Sequence, residues 1–425
     1  MAVGIVRTSG GGKMSIDAPL LTINSGLNLQ KGEIFYSRPE FTNRFNYNGM
    51  LNGNTGVYTS LTMDGNYLAV VTNGNGATGS PFIFLFKRSG DNLVQLPPPN
   101  AVSASPPSGQ LTSPTGVEFS PDSNYLACTT RAFWLYERSG DTFTSLTNPI
   151  TTASLVPTRF KWSPDGKFLA VAVTTTPFVR IYKMVGNVLT AVTTLTGPSG
   201  SGVLAWSHDS QLLALVGGGS PFLYVWSVLG ETFTRITANV PVLSSTGGES
   251  FGLSNFDGNK NLYATVQAQS GSNRYQNTKI IRFDSNNQIT ETISDMSALT
   301  IASTNIIFTQ DKNYCYHSVG YNATQGMTTA PLIDIMLSKR TLRVFLPIID
   351  RFNNSVVYQD LNQTPPLYGL GQTVSFSEDG QYMATSSNFV RIDEIYSKLP
   401  EKAVNAYLAM KDATSSQSVD AYRIF

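Results

Sequence analysis

"KWSPDGKFLAVAVTTTPFVRIYKMVGNVLTAV", residues 161–192, decides the fold. Ser163-Pro164-Asp165-Gly166 reads as a tight turn: proline presets φ, aspartate bonds back onto its own turn, and glycine accepts positive φ. "FLAVA" is an unbroken apolar run, the pattern of a strand covered on both faces. "FVRIYKM" alternates, "VGN" is a hairpin turn, and "VLTAV" is a last short strand. Four strands joined by tight turns predict one antiparallel sheet.

The same sentence is written again along the chain. "SLTMDGNYLAVV" (60–71), "EFSPDSNYLACT" (118–129) and "AWSHDSQLLALV" (205–216) repeat its first half, and "SFSEDGQYMATS" (375–386) closes the series. "GLSNFDGNKNLYATV" (252–266) and "IFTQDKNYCYHSV" (307–319) are looser versions. The second half recurs as "KRSGDNLVQL" (87–96), "ERSGDTFTSL" (137–146), "KMVGNVLTAV" (183–192) and "SVLGETFTRI" (227–236). The aligned aspartates are Asp64, Asp122, Asp165, Asp209, Asp257, Asp311 and Asp379, at intervals of 43 to 68 residues. The shortest intervals match the ~40–45-residue period of four-stranded propeller blades, and the longer ones fit that unit with loop insertions. The expectation is an all-β, seven-bladed β-propeller of four-stranded antiparallel blades. The recurring "RSGD" is then the turn between third and fourth strands, repeated because the backbone geometry repeats.

A ring needs its last blade joined to its first. After "YMATSSN" the apolar residues Ile395, Leu399, Ala403, Ala406, Tyr407 and Met410 fall at helical spacing, so a small helical insertion is expected at about 393–411, broken at Pro400. "SVDAYRIF" (418–425) resembles a third strand. The fourth strand of the last blade is expected from an N-terminal arm, residues 1–50, with "APLLTINS" (18–25) and "GEIFYS" (32–37) as candidates and a flexible start. Residues 51–425 make the propeller.

Composition supports this class and excludes others. Hydrophobic residues are 41% of the 425-residue chain, enough for a large core, while charged residues are only 13%. Serine, threonine, asparagine and glycine fill the gap and suit short strands and turns. A net charge of +1 points to no nucleic-acid or anionic-membrane partner. No apolar stretch approaches signal-peptide or membrane-spanning length, so synthesis in the cytoplasm is expected. Cys128 and Cys315 stand in strand-like stretches and read as buried free thiols.

Catalytic signals are sparse. The seven aspartates are read as structural turn residues, because aspartate at that turn position bonds locally and radial repetition keeps the copies apart. "GNGATG" (74–79) matches G-x-G-x-x-G but precedes a strand instead of opening a helix, so it reads as a loop. His208 replaces a turn proline and His317 lies in a strand; neither is spaced for zinc or poised as a base. No catalytic, cofactor-binding or metal-binding residue is assigned and no cofactor is expected. Phe82, Phe178 and Phe222 recur at one blade phase and read as core.

"SPDGKFLAVA…PFVRIYK" together with "YERSGDTFTSL" resembles the WD-repeat-like propeller proteins encoded by tailed bacteriophages, over roughly residues 57–390. The Gly-His and Trp-Asp dipeptides of typical WD repeats are absent. The resemblance implies a non-enzymatic virion component, by preference a tail hub, nozzle or adaptor ring, that contacts other virion proteins and copies of itself. Its alternatives are a receptor-binding or capsid-decoration module touching a host glycan, and a propeller enzyme of lactonase or glycosidase type.

Overall fold

The structure is a computed structural model. It describes the strands given below with most of the turns joining them; residues 1–5, 17–33 and 399–425 and several loops, the longest being 100–115 and 320–339, lie outside the description. The described secondary structure is entirely β. Two compact units are present: Asn43–Asp393, and Met1–Thr42 with Glu394–Phe425.

In the larger unit the strands pair in sequence order. The first sheet is Gly56–Leu61, Tyr67–Thr72, Ile83–Ser89 and Asn92–Gln95. The second is Gly116–Phe119, Tyr125–Thr129, Phe133–Ser139 and Thr142–Ser145, and the third is Pro157–Trp162, Leu169–Val173, Val179–Val185 and Val188–Leu195. The fourth is Val203–Trp206, Leu212–Val216, Leu223–Leu229 and Thr232–Ile236, and the fifth is Ser250–Phe256, Asn261–Gln267, Gln276–Phe283 and Ile289–Asp295. A sixth sheet runs Ser303–Phe308, Cys315–Val319, Arg340–Asp350 and Ser355–Asp360, with Leu367–Leu370 added beside its third strand. All these pairings are antiparallel.

The seventh sheet departs from the rule. Its order is Val374–Phe376, Tyr382–Ser386, Phe389–Lys398 and then Arg38–Asn48, so the strand bordering Phe389–Lys398 comes from the N-terminal side. Ile34–Tyr36, within one of the two candidate segments, instead pairs with Lys13–Ile16 in a separate three-stranded sheet begun by Val6–Ser9. Residues 18–25 lie outside the described residues.

The expected helical insertion is corrected over its first part. Residues 393–398 continue the strand that begins at Phe389. "FVRID" (389–393) copies "FVRIY" (178–182), and its buried Val390 and Ile392 flank a half-buried Arg391 with strand periodicity. The third strand of this sheet therefore follows the second directly. Residues 399–411 and 418–425 lie outside the described residues.

The sheets stack face to face around their first strands. The first strand of each sheet abuts the first strand of the next from the first sheet through the sixth, and Val374–Phe376 of the seventh abuts Gly56–Leu61 of the first. The core is accordingly a series of slabs between sheets. Phe119, Leu126 and Tyr136 pack against Leu85 and Phe82 between the second and first. Phe133 and Leu135 meet Phe160 and Leu169 between second and third. Ile181 meets Trp206 and Leu213 between third and fourth, and Val225 meets Leu262 and Ile281 between fourth and fifth. Leu68, Val70 and Phe86 meet Ala384, Val390 and Ile392 across the seam between first and seventh, with Leu51 buried among them. Burial on both faces explains the unbroken apolar second strands: Leu169–Val173 and Leu212–Val216 are buried at every residue. This is a β-propeller architecture, in which radial repetition leaves only short edges.

Candidate functional site

In an antiparallel meander the first–second and third–fourth turns share one end of the sheet, so both repeated motifs lie on one rim. The first motif is a small hydrogen-bonded module. Thr62, Ser120, Ser163 and Ser207 donate their hydroxyls to Asp64, Asp122, Asp165 and Asp209 at 2.5–2.7 Å. The same aspartates accept the backbone N–H of Asn66, Asn124, Lys167 and Gln211 at 3.0–3.2 Å. Each hydroxyl oxygen also accepts the N–H that opens the second strand, from Tyr67, Tyr125, Phe168 and Leu212 at 2.8–2.9 Å, and Ser377 does the same for Tyr382. The next residue must turn left-handed: φ is +65° at Gly65, +61° at Ser123, +72° at Gly166 and +60° at Ser210.

Partial burial alone would raise the Asp64, Asp165 and Asp209 carboxyls. Hydrogen bonds outweigh it and hold Asp64, Asp165 and Asp209 below the ordinary carboxylate value, helped at Asp209 by Lys260 and at Asp165 by Lys167. Asp257, Asp311 and Asp379 lie outside the described residues. The structure brings no two of the four described aspartates together: each sits on its own sheet, bonded within its own turn.

The two serines at left-handed positions have a further partner. Ser210 Oγ accepts the Asp165 N–H at 3.0 Å and Ser123 Oγ accepts the Met63 N–H at 3.4 Å, so each ties its turn to the preceding sheet.

The second motif is where sequence reasoning fell short. Repetition of "RSGD" is read from the sequence as backbone geometry; the side chains also bind neighbouring sheets. Arg138 lies 4.6 Å over the Tyr67 ring of the first sheet and donates through Nε to Ser123 O at 2.6 Å. Arg88 repeats this one sheet earlier: it lies 4.1 Å over the Tyr382 ring, donates to the Tyr382 hydroxyl at 2.9 Å and to Gly65 O at 3.3 Å. The Tyr67 hydroxyl in turn donates to Asp141 at 2.7 Å, and Lys87 donates to the same carboxylate at 2.9 Å. The Lys87 and Tyr67 bonds hold Asp141 below its ordinary range. Burial and then the Asp141 bond raise the Tyr67 phenol. Tyr125 reaches Asn187 Oδ1 at 3.1 Å, and Lys183 pairs with Glu231. The signal was present: tyrosine closes the aspartate turn in "NYLA" and "QYMA", and each "RSGD" arginine, Arg88 and Arg138, belongs to the unit after such a tyrosine, Tyr382 and Tyr67.

Nearer the axis the first strands are also tied. Phe119 N–H donates to Ser60 Oγ at 3.0 Å, Trp162 N–H to Glu118 Oε2 at 3.2 Å, and Trp206 Nε1–H to Lys161 O at 3.2 Å. Lys161 pairs with Glu118. Burial pushes the Glu118 carboxyl up despite that lysine. In the seventh sheet Asp393 takes the place of the Tyr182 of "FVRIY"; it is fully buried and accepts two bonds from Arg391, at 2.7 and 2.8 Å. Burial still raises its carboxyl.

Among the described residues, no three His, Cys, Asp or Glu side chains gather as a metal ion requires. Cys128 is buried and free, and burial raises its thiol well above the usual value, the opposite of an activated nucleophile. Phe82 and Phe222 are buried and Phe178 is half-buried. The backbone of His317 belongs to Cys315–Val319, and the GxGxxG segment lies outside the described residues.

No family model matches the chain. No curated protein matches it either. Among solved structures it is similar to a protein from Lactobacillus plantarum, at 14% identity and a TM-score of 0.49, over 72% of this chain and 84% of that one.

Proposed function

We propose that this protein is a non-enzymatic assembly component: a closed ring of seven blades that acts through protein–protein contacts in the virion of a tailed bacteriophage, by preference as a tail hub, nozzle or adaptor. One observation carries the reading. The polar side chains that the repeat preserves are engaged in shaping turns and clipping sheet to sheet, from Asp64, Asp122, Asp165 and Asp209 to Arg88, Arg138 and Asp141. Within the described first strands of the first three sheets, the acidic group Glu118 is paired with Lys161 and bonded to a backbone N–H. A hydrolase of glycosidase type needs two free carboxyl groups flanking the scissile bond. The resemblance of the repeat to phage propellers supplies the virion context, and the low charge of 13% suits a permanently assembled particle.

The test is mass spectrometry and antibody labelling of purified phage particles from a host carrying the gene. Stoichiometric recovery with labelling at the tail is the expected result. A chain that is absent from particles, or that turns over a lactone or glycoside substrate in isolation, overturns the reading.

A further inference from the structure

A propeller leaves an outer edge on every sheet, and edges are blunted by shortness, charge, proline or a bulge. Every other described outer strand of the propeller sheets carries one of the first three. Asn92–Gln95 and Thr142–Ser145 are short, and Pro97, Pro98 and Pro99 follow the first. Thr232–Ile236 carries Arg235, Ile289–Asp295 carries Glu291 and Asp295, Ser355–Asp360 ends on Asp360, and Arg38–Asn48 carries Arg38, Glu40 and Arg44. Val188–Leu195, the outer strand of the third sheet, is 8 residues long, and no charged residue stands from Met184 to Gly197. Among the described residues no further strand borders it. Its one irregularity is a bulge, which leaves Val192 outside the paired register and bounds the regular stretch at 188–192. Val188 is 59% exposed, and Val185, its partner across the hairpin, is 54% exposed.

The edge has a twofold pattern. Gly186 and Asn187 alone make the turn, so Val185 and Val188 close it by exchanging hydrogen bonds, and Lys183 and Thr190 do the same one step further. Leu189 and Ala191 alternate with them and turn their N–H and C=O groups toward the open edge. Val188, Thr190 and Val192 share one face of the strand, and "VLTAV" reads valine, threonine, valine on that face from either end. We propose that this edge is a self-pairing site, and that stretch 188–192 of a second copy occupies it, antiparallel, about a twofold axis through Thr190. Leu189 of each copy then exchanges hydrogen bonds with Ala191 of the other, and Val188 covers Val192. The two Thr190 side chains stand opposite each other with about 4.5–5.5 Å between Cβ atoms. A second copy is the occupant because this register is its own complement. Each β-branched side chain meets another, each outward backbone group meets its counterpart, and no charge meets its like. The contact is isologous and closed, so it pairs copies without open-ended growth. Such pairing deepens the assembly reading above and rests on it for its purpose, but it can be tested on the isolated full chain.

Thr190 is exposed, so substitutions there probe the axis without disturbing the core. In analytical ultracentrifugation the wild-type chain should double its mass as its concentration rises. Thr190→Lys and Thr190→Glu each set like charges against each other at the axis, and each should stay monomeric over the same range. Mixed together they should recover the dimer, because lysine then faces glutamate. Thr190→Cys should close into a covalent dimer on mild oxidation, since its two copies stand within disulfide reach. Thr194→Cys, equally exposed but facing no copy of itself in this register, should not. Circular dichroism checks the fold of each variant; should the charged variants lose their β signal, the cysteine pair decides. A wild-type chain that stays monomeric at every concentration overturns self-pairing. So do folded charged variants that dimerise as readily as the wild type, a mixture of the two that stays monomeric, or equal cross-linking at the two cysteines. Each of these results leaves virion assembly to its own particle experiment.

Discussion

Replacing Gly65 by alanine tests the seam between the first and seventh sheets, and Gly140 provides the matched control. Both glycines are left-handed, with φ of +65° and +58°. An L-residue in that region costs about 1–2 kcal/mol, offset by about 0.4–1 kcal/mol from the stiffer unfolded chain. Gly140→Ala should therefore cost about 1 kcal/mol, because nothing lies within 4 Å of the added Cβ. At Gly65 the new Cβ would stand 2.7 Å from Tyr382 Cδ2 and 3.3 Å from its Cγ. Those atoms are the base of the ring, and the ring is pinned by Arg88 stacked at 4.1 Å and bonded to its hydroxyl at 2.9 Å. Overpacking of this kind costs a further 1–3 kcal/mol or so, giving about 2–4 kcal/mol in total. Urea unfolding followed by circular dichroism and tryptophan fluorescence measures both variants. A Tyr382→Ala partner completes a double-mutant cycle, in which the excess cost of Gly65→Ala should vanish. Equal losses at the two glycines, or strict additivity in the cycle, would refute the claim that Tyr382 packs on the first sheet's turn.

Asp165→Ala removes the bonds to Ser163 and Lys167 N–H and should lower stability by about 0.5–2 kcal/mol, as loss of a helix cap does; an unchanged urea midpoint would contradict the turn role. Because Asp64, Asp165 and Asp209 are held below their unfolded value of about 3.9, they stabilise the fold above that pH and lose the contribution as pH falls through the lower folded values. The triple Asn variant should flatten the fall in urea midpoint below pH 4, and an undiminished slope counts against it. Glu118 carries the opposite sign: its raised folded value means stability declines as pH climbs past about 4.3, so Glu118→Gln should gain on the wild type between pH 4 and 7. A gain toward acid instead would show that the Lys161 pair dominates. Tyr136 buries its hydroxyl without a hydrogen-bond partner among the described residues, so Tyr136→Phe should be neutral or stabilising by up to about 1 kcal/mol; a clear loss in denaturation would contradict this.

The two tight turns and the doubly buried second strand were legible in residues 161–192, because each is a local demand, and the recurrence of that stretch gave the period. A left-handed residue after aspartate, a hydroxyl two residues before it and a charge-free apolar run need only their neighbours in sequence to be understood. The helical reading of 393–398 failed because period-four spacing of a few apolar residues is a weak signal, whereas "FVRID" was already a copy of "FVRIY". What no local pattern could disclose lies between sheets. Arg88 and Tyr382 are 294 residues apart, and Phe389–Lys398 lies still farther along the chain from the strand Arg38–Asn48 beside it. Likewise Ser210 stands where a sister turn has glycine, and only the position of Asp165 on the neighbouring sheet shows what its hydroxyl binds. Turn chemistry is settled within a few residues of chain; the partner across a sheet interface depends on how the sheets stack, and that is a property of the folded molecule alone.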